Sequence, residues 1–554
     1  MASADSDSEY RGRTQQPMLA SQRAKADNPD GAKSLPKSAY FPLGYKEGFS
    51  QWWAGLTPAS TEDHVLSFIP YLQKPPTHTQ TGSAPPSTSA SSASSASSAH
   101  VNSSPDREAA AVTTSGVSDP YGPRQWHSNL VQLQGKDRFL NEFSVERLGE
   151  QVDNNLVMLH GYGAGLGFFY RNFESLSRMA GWKLYALDML GMGRSSRPSF
   201  KIHAKDRQDK ITEAENWFID ALEEWRIKRG IDRFTLLGHS MGGYMAVAYA
   251  LKYPGHLNKL VLASPVGIPE DPYAVNADMP EPGESTMVNE FTQDNQDVVN
   301  SSNPDLPSSA KTGDDNNNFL NARSKREAAA ETSGKPPRKP MPKWLTTLWD
   351  ANISPFSLVR WSGPLGPRLV SGWTSRRFSH LPAEESQALH DYSYSLFRQR
   401  GSGEYALAYI LAPGAFARSP LIRRIHGIGR QWLSGEAAPH TAPQPDQSDR
   451  VPASALAHRA RETGVPVVLM YGENDWMDVK GGYAAAEKIL SEKNKALQNA
   501  SDEEKQRENG DAKVVVISKA GHHVYLDGAD HFNQVMEGEM KDVEVRERRL
   551  GFLK

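Results

Sequence analysis

Short apolar runs recur along the chain from residue 156 onward and alternate with longer amphipathic stretches. The runs are LVMLHG (156–161), KLYALD (183–188), FTLLGH (234–239), KLVLAS (259–264), PVVLMY (466–471) and KVVVIS (513–518). Uninterrupted apolar runs of this length are typical of strands buried on both faces of a parallel sheet. Between them, Ile211, Ala214, Trp217, Phe218, Ala221, Leu222 and Trp225 make one helical stripe that Gly230 closes. Strand–helix alternation of this kind predicts a doubly wound, mostly parallel α/β sheet. Upstream, WHSNLVQL (126–133) and FLNEFSVE (139–146) flank Gly135-Lys136-Asp137 and predict a hairpin.

The spacing of the runs divides the chain. About 200 residues separate the fourth run from the fifth, which predicts a helical, Trp-rich cap over residues 341–445, inserted between core segments 119–275 and 446–554. Residues 1–35, the Ser/Ala/Pro stretch 75–118 and the Asn/Asp-rich stretch 276–340 hold too little apolar surface to offset the entropy of ordering, and disorder is expected there. Segment 36–74 differs. Phe49, Trp52, Trp53 and Leu56 fall on one helical face, and Ser60 with Asp63 reads as a helix start before Val65, Leu66, Phe68 and Ile69. Two readings stay open for it: a helix pair docked on the main domain, or an interfacial membrane anchor.

Composition narrows the classes. Among 554 residues, 62 are Lys or Arg and 65 are Asp or Glu, a net charge of −3. That balance disfavours a nucleic-acid partner, which calls for a basic excess. Cys is absent, which excludes disulfides, thiolate metal sites and a Cys nucleophile. No apolar run approaches the ~18 residues of a membrane-spanning helix. The opening residues MASADSDSEYRGRTQQ carry no apolar stretch like a secretory leader, and Asp5, Asp7 and Glu9 depart from an acid-poor presequence.

The chemistry gathers at strand ends. Gly238-His239-Ser240-Met241-Gly242 follows FTLLG and precedes the helical pattern YMAVAYALKY, giving G-x-S-x-G between a strand and a helix. In that arrangement a serine occupies a tight turn that only small neighbours permit, and the helix start behind it aims N–H groups at developing negative charge. The loop His160-Gly161-Tyr162-Gly163-Ala164-Gly165 ends another strand. The amides of Tyr162 and Met241 are the expected oxyanion donors, with Gly163 the alternative to Tyr162. His160 is read as a buttress of that loop and Asp188 as the organiser of the one that follows it. A serine hydroxyl needs a base and an orienting acid, in the chain order Ser, acid, His. Asp475 directly follows PVVLMY, and Asp478 is its rival. His522 follows KVVVIS, and His523 is its rival. His522 and Asp527 also form H-x-x-x-x-D, a spacing used by glycerolipid acyltransferases, although Asp527 equally suits a helix cap or a loop anchor. His522, His523, Asp530 and His531 make a poor metal site, because adjacent histidines do not readily aim at one ion. No metal or other cofactor is expected. Trp344, Trp349, Trp361 and Trp373 are candidates to line an acyl path, and Arg418, Arg423 and Arg424 to meet a phosphate headgroup.

The segments HGYGAGLGFFYRN, LDMLGMGRSSRP, LLGHSMGGYMA, LWDANISPFSLVRWSGPLGPRLV, YGENDWMD and AGHHVYLDGADHFN together resemble the α/β-hydrolase superfamily, and within it the abhydrolase-domain lipid enzymes. The nearest likeness is to the fungal cardiolipin-specific deacylases. The resemblance implies a triad of Ser240, Asp475 and His522, a phospholipid or lysophospholipid substrate, and a Trp-containing segment (38–73) at a membrane or lipid-droplet surface. It also implies a peripheral location at the mitochondrial inner membrane or a lipid droplet. Some relatives carry the acid at the position of Asp478, and the H-x-x-x-x-D element maps onto His522 and Asp527. The coactivator branch of the subgroup lacks the serine that this chain keeps. Hydrolysis of a lipid ester through an acyl-enzyme is the expectation. Acyl transfer to a lysophospholipid and a catalytically silent lipid-surface adaptor are the alternatives.

Overall fold

The computed structural model describes residues 42–72, 74–75, 112–114, 119–270, 354–412, 416–433, 460–477 and 479–553. The expected disordered segments 1–35 and 276–340, and most of 75–118, lie outside these residues, as do Trp344, Trp349 and Asp478.

In chain order the main elements are α1 (Tyr45–Ala54), α2 (Pro58–Leu66), β1 (Val112–Thr114), β2 (Arg124–Gln132), β3 (Phe139–Arg147), β4 (Asn154–Leu159), α3 (Tyr170–Leu176), β5 (Trp182–Leu187), α4 (Arg207–Lys228), β6 (Phe234–His239), α5 (Met241–Lys252) and β7 (Leu257–Ala263). They continue with α6 (Pro355–Trp361), α7 (Gly366–Arg377), α8 (Ala383–Phe397), β8 (Pro466–Gly472), α9 (Val479–Gln498), β9 (Asp511–Ile517) and α10 (Ala529–Leu550). The strands form one sheet in the order β1-β2-β3-β5-β4-β6-β7-β8-β9. β1, β2 and β3 are antiparallel to their neighbours, and β5, β4, β6, β7, β8 and β9 run parallel.

Every residue of β6, β7 and β8 is buried, as their unbroken apolar runs require. One core packs α4, α5 and α9 on one face of the sheet through residues such as Phe218, Trp225, Tyr249 and Ile489. The other packs α3, α10 and the cap helices α7 and α8 on the opposite face, through Phe173, Met536, Val370 and Leu389. The strand order turns back on itself around β4, with β5 on one side and β6 on the other. In such sheets the crevice beyond the strand ends at that point is where ligands bind. The loops after β4 and β6 both open there.

The N-terminal segment departs from its expected boundaries. α1 ends at Ala54 with Gly55 in the left-handed region (φ 61°), so Leu56 lies past the helix. Thr57, not Ser60, caps α2: its Oγ1 accepts the Ser60 N–H at 3.2 Å, and Pro58 takes the first helical position, where no N–H is needed. α2 is docked in the core. The Glu62 carboxylate is buried, taking Arg194 Nη1 at 2.6 Å and the Tyr392 hydroxyl at 3.0 Å. α1 is docked on one side and exposed on the other. Gln51 accepts from His390 Nε2 at 3.0 Å on the cap side, while Phe49 and Trp53 face outward, Trp53 at 75% exposure.

Candidate active site

The serine turn is built from the residues that flank it. Ser240 has φ 52°, in the left-handed region, between the last residue of β6 and the first of α5. A Cβ on Gly238 would lie 2.3 Å from the Gly242 carbonyl oxygen, and one on Gly242 would lie 2.6 Å from the His160 carbonyl oxygen. Gly238 is therefore required for the turn itself to close, and Gly242 for the turn to pack against the end of β4. The turn is tied to the next strand through Ser240 N–H to the Ala263 carbonyl, 2.9 Å. Met241 opens α5, so its amide is one of the orphan donors of a helix N-terminus.

The candidate acid and base come from neighbouring strand ends. Asp475 follows β8 and is fully buried, and His522 follows β9. His522 Nδ1 lies 3.2 Å from Asp475 Oδ1. The carboxylate only accepts, so Nδ1 carries the proton and Nε2 is left bare to act as a base. The Met477 N–H supports Oδ1 at 3.0 Å, and the Ser264 hydroxyl donates to Oδ2. Asp475 is the acid that the described residues bring to His522; Asp478 lies outside them.

Ser240 and His522 line one cavity, together with Gly161, Tyr162, Gly163, Ala164, Phe168, His239, Phe356, Trp373, Phe397, Trp476 and His523. Among the described residues no hydrogen bond joins Ser240 Oγ to His522. Catalytic contacts of this kind are commonly loose until substrate is bound. The cavity is narrow, about 50 Å³, and its walls are largely aromatic. Phe356 stacks on Tyr162 at 5.0 Å and on Phe397 at 4.4 Å, so the cap closes directly over the loop expected to form the oxyanion hole. A wider surface groove between α9 and β9, lined by Tyr483, Asn494 and Lys513, holds none of these groups.

The other singled-out residues sort by their partners. His160 Nδ1 donates to the Gly161 carbonyl at 2.7 Å and Nε2 accepts from the Met189 N–H at 3.1 Å, and burial lowers its pKa to about 4. It is a neutral buttress of the loop. Asp188 collects the amides of Leu166 and Arg194 and the Asn141 side chain, which organises both loops around it. His523 also lines the cavity, but its Nδ1 is taken by Arg377 Nη2, and burial beside that cation holds it well below the usual histidine range. The Asp527 carboxylate does not reach His522. It accepts the Gly521 N–H at 3.1 Å, the loop-anchor role weighed for it against acyl-transfer chemistry.

The acyl-path and headgroup candidates separate in the same way. Trp373 lines the cavity, whereas Trp361 points outward from the end of α6. Arg424 is committed to Glu215 and Arg423 to Glu270, while Arg418 Nε donates to the Ala408 carbonyl. The first two face carboxylates, so neither of them is held ready for a phosphate. Ser264 and His239 had no advance signal. Each is an ordinary polar residue at a strand end, and only the fold gives it a partner. No group of His, Cys, Asp and Glu among the described residues is arranged to hold a metal ion.

Residues 154–529 match the α/β-hydrolase fold family. This chain belongs to that family. Curated relatives cover most of its length. The chain is 29% identical to "1-acylglycerol-3-phosphate O-acyltransferase" of Arabidopsis thaliana, over 76% of this chain and 73% of the relative. It is 27% identical to "1-acylglycerol-3-phosphate O-acyltransferase ABHD5" of Homo sapiens, over 71% and 80%. It is 26% identical to "(Lyso)-N-acylphosphatidylethanolamine lipase" of Mus musculus, over 70% and 80%. Among solved structures it is similar to naproxen esterase from Bacillus subtilis, at 13% identity and a TM-score of 0.37, over 76% of this chain and 93% of that one.

Proposed function

We propose that the chain is a serine lipid acyl hydrolase of the phospholipid deacylase type. The observation that carries this reading is the meeting, in one cavity, of Ser240 at its left-handed turn with His522, whose Nδ1 is held by Asp475. Ser240 Oγ attacks the ester carbonyl while His522 Nε2 takes its proton. The Tyr162 and Met241 amides receive the oxyanion, with Gly163 next in line. The tetrahedral intermediate collapses, the C–O bond to the lysolipid breaks, and His522 returns the proton to the departing alcohol. Water then attacks the acyl-enzyme with His522 as base, releasing the fatty acid and restoring Ser240.

The printed names of the relatives, acyltransferases and a lipase, favour a lipid ester as substrate. They also favour a second reading on the same site, in which a lysophospholipid hydroxyl replaces water as the acceptor. Against a dedicated transfer role stands Asp527, whose carboxylate is occupied at Gly521. A surface patch suits a lipid interface: Tyr45, Phe49 and Trp53 on α1 lie beside Trp361, Leu365 and Leu369 of the cap, all exposed, with Arg368 stacked on Tyr45 at 3.8 Å. Aromatic residues with a cation at their edge are suited to headgroup depth. Peripheral attachment to a mitochondrial membrane or droplet, and preference for cardiolipin, belong to this proposal. No helix among the described residues is long and apolar enough to cross a membrane.

Incubating purified full-length chain with mixed phospholipid vesicles, with and without lysophosphatidic acid, tests the reading. Free fatty acid and lysolipid from wild type but not from Ser240→Ala support hydrolysis. A new diacyl product in place of free acid supports transfer. Absence of fluorophosphonate labelling at Ser240 overturns both and leaves the adaptor.

A further inference from the structure

His522 sits on a short loop between the end of β9 and the helix Val524–Asp527, and four backbone and side-chain contacts place it. The Asn474 N–H donates to the Ala520 carbonyl at 2.9 Å. The Gly521 N–H donates to Asp527 Oδ2 at 3.1 Å. His239 Nε2 donates to the His522 carbonyl at 3.0 Å, and Asp475 holds the ring. Three of these anchors belong to the sheet and its turns. The fourth, Asp527, is nearly fully buried and faces the cap. His380 Nε2 lies 3.3 Å from its Oδ1, and Arg377 Nη2 lies 3.9 Å from its Oδ2. The same Arg377 group meets His523 Nδ1, the residue after the base. Arg377 is the last residue of α7, and His380 follows in the next turn.

We propose that Asp527 is a positioning residue through which the cap holds the catalytic histidine in register, with Arg377 as its partner on α7. The inference rests on the Ser240–His522–Asp475 reading above. A buried carboxylate keeps its place only while its countercharges are present. Here the countercharge is Arg377, at the end of a cap helix, with the His380 ring beside it. With α7 seated, Asp527 is fixed, the Gly521 amide is fixed, and the next residue presents its ring at the cavity. With α7 displaced, Asp527 loses Arg377 and His380 together, and His523 loses its donor. Alignment of the base is thereby tied to closure of the cap, and the H-x-x-x-x-D spacing acquires a role without proton transfer at Asp527.

Three variants of the full-length chain, Asp527→Asn, Asp527→Ala and Arg377→Gln, separate the contributions. Asn keeps an oxygen for the Gly521 N–H and loses the charge, whereas Ala loses both. Rates on a short-chain water-soluble ester are measured per active site, titrated with a fluorophosphonate. Asp527→Ala is expected to lower kcat per titrated site by about 10–100-fold, the penalty of a slightly misplaced group, with KM within about twofold. Asp527→Asn and Arg377→Gln are expected to fall between Ala and wild type, and their double variant to lose clearly less than the product of the two single losses, because the singles share the Asp527–Arg377 interaction. A wild-type kcat per titrated site in Asp527→Ala overturns the proposal, leaving Asp527 a stability residue. Additive losses in the double variant also overturn it. So does an Asp527→Ala that keeps its ester rate but cannot transfer an acyl group to lysophosphatidic acid. If wild type is not labelled at all, the hydrolase reading fails first and takes this inference with it. Labelled wild type with indifferent variants sinks the inference alone.

Discussion

The Asp475 carboxylate divides its oxygens between two tasks: Oδ1 meets the His522 ring and the Met477 amide, and Oδ2 takes the Ser264 hydroxyl. In the proposed triad, Asp475→Asn would present a neutral amide where a charge would stabilise the imidazolium, and kcat is expected to fall by about 10⁴-fold, as in Ser-His-Asp enzymes. Steady-state hydrolysis of a soluble ester checks this. At the same scale, His390 bridges Thr374 Oγ1 at 2.8 Å and Gln51 Oε1 at 3.0 Å, and burial depresses its pKa to about 3. The unfolded chain would protonate this ring near pH 6.5, and the folded chain only near 3. Between those values the unfolded state binds the extra proton, so this contribution is present above pH 6.5 and is lost as pH falls, by up to about 1.4 kcal/mol per unit. The stability difference between wild type and His390→Gln, from denaturant titrations at pH 7.5 and 5, is expected to shrink at the lower pH.

At the scale of elements, α2, for which docking on the main domain and an interfacial anchor were both open, carries one of the most enclosed charges among the described residues. Glu62 joins Arg194, Tyr392 and Asn141, and through Arg194 and Asn141 it supports Asp188 beneath both active-site loops. Burial raises the pKa of Glu62 while Arg194 opposes that shift, so the pair is balanced only when complete. Removing one partner leaves an uncompensated buried charge. Glu62→Ala is expected to cost about 3–5 kcal/mol, read from the midpoint and slope of urea unfolding. Thr57→Ala, which removes only the N-cap of the same helix, is expected to cost about 1 kcal/mol. This attachment is difficult to read from periodicity, because Glu62 interrupts no apolar pattern and announces no partner.

At the scale of the molecule, the cavity and the outer face of the cap belong to one problem. Ligand pockets usually measure about 300–1,000 Å³, and the site encloses about 50 Å³. A long acyl chain enters only if Phe356, Trp373 and Phe397 move, and these residues lie on the helices α6, α7 and α8. The outward faces of α6 and α7 adjoin the exposed ring face of α1, so contact with a lipid surface would act on the elements that must open. Combining Phe49→Ala with Trp53→Ala is expected to weaken co-flotation with anionic phospholipid vesicles at least about tenfold, since each large side chain contributes about 1.5–3 kcal/mol when buried. Hydrolysis of a soluble short-chain ester is expected to stay within about twofold of wild type, because neither side chain lines the cavity.

Read alone, the sequence determined the sheet and the turn that carries Ser240, and it offered the candidate acid and base in chain order. Continuous apolar strands bounded by Gly-rich turns admit few arrangements, and G-x-S-x-G between a strand and a helix places Ser240 by local sterics. Tertiary structure decided everything that depends on which distant atoms meet. It brought Asp475 onto His522, gave Ser264 and His239 their tasks, turned Asp527 toward Gly521, and matched Arg423 and Arg424 with acidic partners rather than leaving them to a headgroup. The physical reason is that backbone sterics and hydrophobic periodicity act over a few residues, whereas hydrogen bonds and ion pairs across hundreds of positions exist only once the chain has folded.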